Sequence, residues 1–550
     1  TQIICTDKTG TLTQNKMTVV QDESNNQKLL AEAMALCSDA EIGEDDIEAI
    51  GEPTEAALVN FANKIGLPKY KLEQEAPRIG EAPFDSMRKM MSTVHNKNEK
   101  IIQYTKGACE ILLERSTHYL DKDGQVVPMT EEIKQEVRRK NKEFADKALR
   151  LLGAAYREHD QVPENFDAEN LEKDLTFIGF VGMIDPCRPE VYDAIKECRK
   201  AGIRPVMITG DHIDTAVAIG KDLGIIKDAS EAMTGAELDG LSEKDLIKKV
   251  KKCSVFARVQ PEHKTKIVRA FKAQDQVVAM TGDGVNDAPS IKAADIGISM
   301  GITGTDVTKQ ASDMVLADDN FATIVNAVEE GRKIYDNIRK VLQFQLSTNA
   351  AEVIYVFLAS AFGITVVTPA QLLWINMVTD STPGLALGME KAEGNLMKRK
   401  PRNSNEGVFS DGAGSSMIIH GVIMAFIVLL SFFIGQYIEL GHYGVFESVD
   451  GMTMAFLTAN LVEMFYAICM RTQKGSIFKM KTRNKWLLGS FMLSLIFTAG
   501  VIYIPALSNL FGLASISFKE FAIAFGLAFL VIPITEVAKY FQRRKTNEES

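Results

Sequence analysis

The sequence predicts an α/β fold: a doubly wound parallel sheet, broken by an inserted α+β domain and followed by a six-helix membrane bundle. Three observations carry this. Four short apolar runs each end in a polar loop: Thr1–Cys5 before Asp7-Lys8-Thr9-Gly10-Thr11, Ile203–Ile208 before Thr209-Gly210-Asp211, Ser254–Ala257 before Arg258, and Gln276–Met280 before Thr281-Gly282-Asp283-Gly284-Val285-Asn286-Asp287. Helical stretches such as Pro189–Ala201 lie between them, the grammar of a parallel sheet whose ligands gather at the strands' carboxyl ends. From about residue 341 onward come six apolar stretches, each about the 20 residues a membrane helix needs.

The chain has 550 residues, room for about three domains at roughly 150 residues each. The spacing of motifs divides it into a phosphate-chemistry domain (1–13 and 186–340), an insertion of mixed character (14–185) and a membrane domain (341–550). A net charge of −10 argues against nucleic acid as a partner. Seven cysteines are scattered without a CxxC pair, which suggests neither a disulfide framework nor a zinc site. The first residues, TQIICTDKTGT, read as the middle of a strand, so a preceding N-terminal portion is expected.

The apolar stretches are 341–367, 370–389, 414–438, 452–470, 486–505 and 518–540. Basic clusters precede the first (Arg332, Lys333, Arg339, Lys340) and separate the second from the third (Lys398, Arg399, Lys400, Arg402). Others separate the fourth from the fifth (Arg471, Lys474, Lys479, Lys481, Arg483, Lys485) and follow the sixth (Arg543, Arg544, Lys545). Six crossings put every cluster on one side, which predicts that residues 1–340 are cytoplasmic. The chain is thus read as integral to a lipid bilayer.

Asp7 at a strand end, beside Lys8, is a candidate nucleophile toward a phosphoryl group. Such an attack needs a metal to screen two anions and donors around the transferring oxygens. Asp283 and Asp287 are suitable oxygen ligands for Mg2+, with Asp7 and Thr9 in the same region, and Thr209 and Lys264 suit phosphoryl oxygens. Simple hydrolases of this α/β class carry an Asp general acid two residues beyond the nucleophile. Thr9 stands there instead, so the acyl phosphate should be long-lived.

DKTGT, TGD, TGDGVND and Asp185-Pro186-Cys187-Arg188 together resemble the P-type cation-transporting ATPases, over essentially the whole chain. The resemblance implies a haloacid-dehalogenase-like phosphorylation domain, an aspartyl phosphate on Asp7, and roles at the catalytic centre for Lys8, Thr9, Thr209, Gly210, Asp211, Lys264 and Asn286. It implies that the insertion binds ATP through Glu55, Phe84, Lys89, Lys106 and Arg150, with Arg188 also on the nucleotide. A soluble phosphatase or a non-catalytic regulatory relative is the alternative of another class. The six spans, Thr9 and the intact catalytic set argue against both.

Polar groups in membrane spans are costly and usually functional. Asn349 and Glu352 share one face of the first span, Asn376, Thr379 and Asp380 one face of the second, and Glu463 sits mid-way along the fourth. Three carboxylates with amide and hydroxyl oxygens suit a hard cation such as Ca2+. These positions match the ion-binding residues of sarco/endoplasmic-reticulum-type Ca2+ pumps. The resemblance implies ATP-driven Ca2+ export, with Mn2+ or a monovalent ion as the alternative cargo. The chain's compactness points to a bacterium, hence a plasma membrane. The actuator domain and four membrane helices of the family would lie upstream, so this chain alone is not expected to turn over.

Overall fold

The computed structural model describes residues 1–548 except 44–46, 148, 404–405, 411, 446 and 474, with side chains to residue 544; Lys474 and the Lys545 side chain therefore fall outside the described residues. The chain divides into two compact units, Thr1–Val325 and Asn326–Ser550.

The first unit holds two sheets. One has seven strands, all parallel, in the order 232–234, 255–257, 204–208, 3–7, 278–282, 296–300, 314–316. Strand Ile3–Asp7 is central, buried through Thr6, and pairs with Arg204–Ile208 on one side and Val278–Gly282 on the other. A parallel strand covered on both faces needs a continuous apolar sequence, and Ile3, Ile4 and Cys5 supply it. The helices Pro189–Lys200 and Pro261–Lys272 each bury an apolar stripe, the second through Ile267, Val268 and Phe271. The other sheet has eight strands, all between Thr18 and Ile184 and mostly antiparallel. Helices Gln27–Leu36 and Pro53–Lys64 share a core with it.

The chain crosses between the sheets twice, and the crossings lie side by side. Thr13 bridges Cys187 antiparallel, Gln14 N donates to Pro186 O, and Arg188 N donates to Leu12 O. The Asp185 carboxylate accepts from the Thr13 hydroxyl and from Lys16 N, closing the junction.

In the second unit, among the described residues, four helices are long and apolar enough to cross a membrane: Ala413–Leu440, Val449–Cys469, Lys485–Tyr503 and Phe518–Arg544. Val449–Cys469 is the centre of the bundle, 89% buried along its apolar window against 28% for the two that follow. The first two expected spans take other forms. Residues 341–361 are the end of the 41-residue helix Phe321–Ala361, where Gln345, Ser347, Thr348, Asn349 and Glu352 dilute the apolar character. Residues 369–388 are a helix Pro369–Trp374, a π-helical stretch Ile375–Asp380 and a helix Ser381–Gly388.

Candidate functional site

The first unit gathers its chemistry at the carboxyl ends of three adjacent parallel strands. Asp7 ends the central strand and caps the following loop, its Oδ1 accepting from Lys8 N at 2.6 Å. The loop Lys8–Leu12 closes on itself, with Thr13 N donating to Lys8 O, and Gly10 turns it at φ +75°, a conformation that favours glycine. Asp7 N donates to the Thr281 hydroxyl of the next strand at 3.3 Å.

Lys264 enters from the first turn of helix Pro261–Lys272. Its Nζ donates to Asp7 Oδ2 at 2.6 Å and to Asp287 Oδ1 at 2.7 Å. Asp287 Oδ2 accepts from Gly284 N, so both its oxygens are engaged. Gly282 lets Asp287 approach, because a Cβ there would stand 2.4 Å from the Asp287 Cβ. Burial pulls the buried Lys264 ammonium down in pKa, but Asp7 and Asp287 overcome that and hold it above its ordinary value. Asp283 shows the opposite imbalance: burial, then the charges of Asp7 and Asp287, push its carboxyl above the usual carboxylate range.

Lys8 Nζ pairs with Asp211 Oδ2 at 2.7 Å, and the Thr209 hydroxyl accepts from Asp211 N. Backbone bonds from Thr209 N to Phe256 O, Val259 N to Thr209 O and Arg258 N to Asp211 O lace this loop to the neighbouring strand end. Thr9, Gly210 and Asn286 are exposed at the mouth. The structure therefore brings Asp7, Lys8, Asp211, Lys264, Asp283 and Asp287 to one place. Sequence reading missed Thr281, and it missed His263. The His263 Nδ1 accepts from Gln260 N and its Nε2 meets Asp239 at 2.9 Å, bracing the turn that presents Lys264. The signal lies in the sequence Pro261-Glu262-His263-Lys264, where the histidine stands next to the lysine.

In the inserted sheet Lys106 is buried, ion-paired with Glu55 and 3.1 Å from the Ser38 hydroxyl, while Glu55 Oε2 accepts from Asp39 N. Lys89 takes φ +55° at the hairpin end, and its carbonyl accepts from Ala108 N, two residues past Lys106. Phe84 is the last residue but one of the preceding strand Arg78–Asp85 and is 62% exposed. Arg150 is exposed at the start of strand Arg150–His159. Arg188 lies elsewhere: its guanidinium donates to Thr13 O and Gly10 O, both at 3.2 Å, so its contacts are with the Asp7 loop.

The second unit holds its own polar cluster. Asn376 Nδ2 donates to both Glu352 oxygens at 3.0 Å, and the Thr348 hydroxyl donates to Asp380 Oδ2 at 3.2 Å. The Thr379 hydroxyl, beside Asp380 in sequence, donates back to Ile375 O. Asp380 Oδ1 and Glu463 Oε2 are buried with no hydrogen-bond partner. Asn349 is exposed and is not brought into the cluster, whereas Thr348, unread in the sequence, is. Asn460, one turn before Glu463, accepts from Thr498 at 3.4 Å. Among the described residues no three His, Cys, Asp or Glu side chains make a metal group by themselves. Glu352 is drawn to Asn376 and Asp380 to Thr348, so any ion here needs neutral oxygens as well.

Comparison with known proteins gives a consistent picture. The profile described as Cation transporting ATPase, C-terminus, matches residues 364–541, and that of P-type ATPase, cytoplasmic domain N, matches residues 26–190. The chain is similar to Calcium-transporting ATPase 1 of Bacillus cereus (44% identical, 98% of this chain and 63% of that protein). It is similar to Calcium-transporting ATPase 1 of Lactococcus lactis (41%, 98% and 62%) and to Calcium-transporting ATPase 3, endoplasmic reticulum-type, of Arabidopsis thaliana (34%, 99% and 64%). The chain thus spans less than two thirds of the length of these relatives.

Proposed function

This chain belongs to the P-type cation-transporting ATPases, and from that premise we propose that it serves ATP-driven Ca2+ transport through a phosphate carried on Asp7. The observation that supports it most is the grip of Lys264 on the Asp7 carboxylate beside Asp283, whose carboxyl burial and the charges of Asp7 and Asp287 hold above its usual range. Residues 1–13 and 186–340 form the phosphorylation domain, of haloacid-dehalogenase type. Residues 14–185 hold ATP, and 341–550 form the membrane domain. All six apolar segments cross the bilayer, the broken 369–388 segment included. In a bacterium the membrane is the plasma membrane, with residues 1–340 in the cytoplasm.

In this reading an Asp7 oxygen forms the new P–O bond as the bond between the γ-phosphorus and the ADP oxygen breaks. Lys264 neutralises charge on the nucleophile and on the transferring oxygens, and Asp287 holds Lys264 in place. Lys8 is tied to Asp211, while the Thr209 hydroxyl, which accepts from Asp211 N, would donate its proton to a phosphoryl oxygen. Arg188 keeps the Gly10 and Thr13 carbonyls fixed, a positioning role. Asp7 and Asp283 would hold Mg2+, and the raised pKa of Asp283 fits a site where a cation relieves crowded negative charge. Two carboxylates suffice, since Mg2+ ordinarily keeps waters and substrate phosphates as its other ligands. When bound, it screens the two anions that must meet. Thr9 offers no general acid, so the phosphoenzyme persists long enough to be coupled to transport.

Glu352, Asn376, Thr379, Asp380 and Glu463 contribute oxygens to Ca2+. The unpartnered oxygens of Asp380 and Glu463 support this, because a buried carboxylate without a partner is costly. The test is Ca2+-dependent labelling of the full-length protein from γ-labelled ATP. Label should be acid-stable and absent from Asp7→Asn, which still binds nucleotide. Labelling with Mn2+ or K+ but not Ca2+ would change the ion, and labelling of Asp7→Asn would remove the nucleophile.

A further inference from the structure

Tyr355 follows Glu352 by three residues on helix Phe321–Ala361, so the two side chains share a face. It is 1% exposed, and its hydroxyl has no hydrogen-bond partner. Its ring lies in the same buried core as Ile375, Val462 and Met464, the sequence neighbours of Asn376 and Glu463. A buried tyrosine almost always finds a partner for its hydroxyl, and an unpaired one asks for an ion or a water to explain it. Here three unpaired oxygens come from three separate segments: Tyr355 Oη, Asp380 Oδ1 and Glu463 Oε2. Oxygens left in this way within one buried core are groups that a cation can satisfy. One shared occupant satisfies all of them.

We infer that the Tyr355 hydroxyl is a further contact of the transported cation, and that it helps to set which ion is carried. This rests on the calcium reading above. The chemistry suits the position. A hard cation stripped of water takes six to eight oxygens at its full coordination. Among the described residues no three carboxylates make a metal group by themselves. A neutral phenol adds an oxygen without adding a fourth negative charge to a site already crowded with three. Its O–H, pointing away from the ion, can donate to a carboxylate oxygen and fix which lone pairs face inward. No proton leaves the tyrosine, so no base is needed. The rigid ring also fixes how far the oxygen reaches, which favours a larger ion such as Ca2+ over the smaller Mn2+.

Tyr355→Phe removes the oxygen and leaves the ring. In the full-length protein, the Ca2+ concentration for half-maximal phosphorylation from ATP should rise about ten-fold, the scale of one hydrogen bond to a charged group. The preference for Ca2+ over Mn2+ should fall by a similar factor, while the melting temperature in the absence of Ca2+ stays at or above that of the parent. Tyr355→Leu, which also loses the ring, should weaken Ca2+ at least as much. A Tyr355→Phe titration that superimposes on the parent's for both ions overturns the inference, and the hydroxyl is then only a packing feature. Asp380→Asn separates the two levels. If it abolishes Ca2+ activation while Tyr355→Phe does nothing, only the tyrosine role fails. If Asp380→Asn is also silent, the calcium site itself is misplaced.

Discussion

Lys264 Nζ stands 2.6 Å from Asp7 Oδ2 and 2.7 Å from Asp287 Oδ1, one buried ammonium shared by carboxylates from two different strand ends. The three groups are 257 and 23 residues apart in sequence, so only the parallel order of the sheet brings them together. Lys264→Met leaves Asp7 and Asp287 uncompensated beside Asp283. The rate of phosphorylation from ATP should fall by about 10²–10³, the usual cost of losing one preorganised charge donor. Lys264→Arg should not restore it, because a planar fork cannot take the place of a point charge between two carboxylates. Single-turnover labelling measures both.

Asp283 offers a test in stability. Its carboxyl is held above the usual range by burial and then by Asp7 and Asp287. The folded state therefore binds that proton more tightly than the unfolded state, and stability grows as pH falls through the folded pKa, the gain complete below the unfolded one. Asp283→Asn mimics the protonated form. It should raise the melting temperature at pH 7, the gain shrinking as pH is lowered, and should depress Mg2+-dependent phosphorylation. A melting temperature below the parent's at pH 7 would contradict this electrostatic account.

The nucleotide reading is tested at Phe84 and Lys106. An exposed ring is free to stack on a base, worth about 1–3 kcal/mol, or roughly one to two decades in affinity. Phe84→Ala should weaken ATP binding by that much with little change in fold. Lys106→Ala should weaken ATP too, and it also strands Glu55 beside Ser38. Both should leave phosphorylation by inorganic phosphate largely intact. Parent-like ATP titrations in both would place the nucleotide elsewhere.

In the membrane unit, Asp380→Asn keeps volume and removes charge. Ca2+ should no longer activate phosphorylation from ATP. Glu352→Gln and Glu463→Gln should each lower Ca2+ affinity or cooperativity. For Glu352 the cause includes loss of one acceptor for the Asn376 amide. Ca2+-dependent labelling of the three decides, and three parent-like curves would end the calcium assignment.

How much of this the sequence made legible depends on the range of the interaction. Four of the seven parallel strands announce themselves because an apolar run ends in a catalytic-looking loop. The strands Ile296–Met300 and Met314–Leu316 lack such a loop, and Ala232–Thr234 is three residues long. Asp7, Lys264 and Asp287 stood out by motif, but the Thr281 hydroxyl on Asp7 N and the Thr348 hydroxyl on Asp380 are long-range contacts of ordinary residues. Arg188 reads as part of a motif, yet only the adjoining crossings turn it onto the Gly10 and Thr13 carbonyls. The π-helical stretch at Ile375–Asp380 leaves no mark on hydropathy, since it changes the winding and not the composition. The residues that make 341–361 less apolar than a simple span include Thr348 and Glu352 of the polar cluster.

The paired crossings have an engineering consequence. Because Thr13 already faces Cys187 across an antiparallel bridge, the whole excursion between them starts and ends at one spot. A two-residue Asn-Gly turn is the natural splice for such a pair. Replacing residues 14–186 with it would leave strand Ile3–Asp7 seated between Arg204–Ile208 and Val278–Gly282, with Asp7 still beside Lys264. On the nucleotide reading proposed above, the product would be a miniature phosphate acceptor, able to take phosphate from small acyl phosphates onto Asp7 and indifferent to ATP.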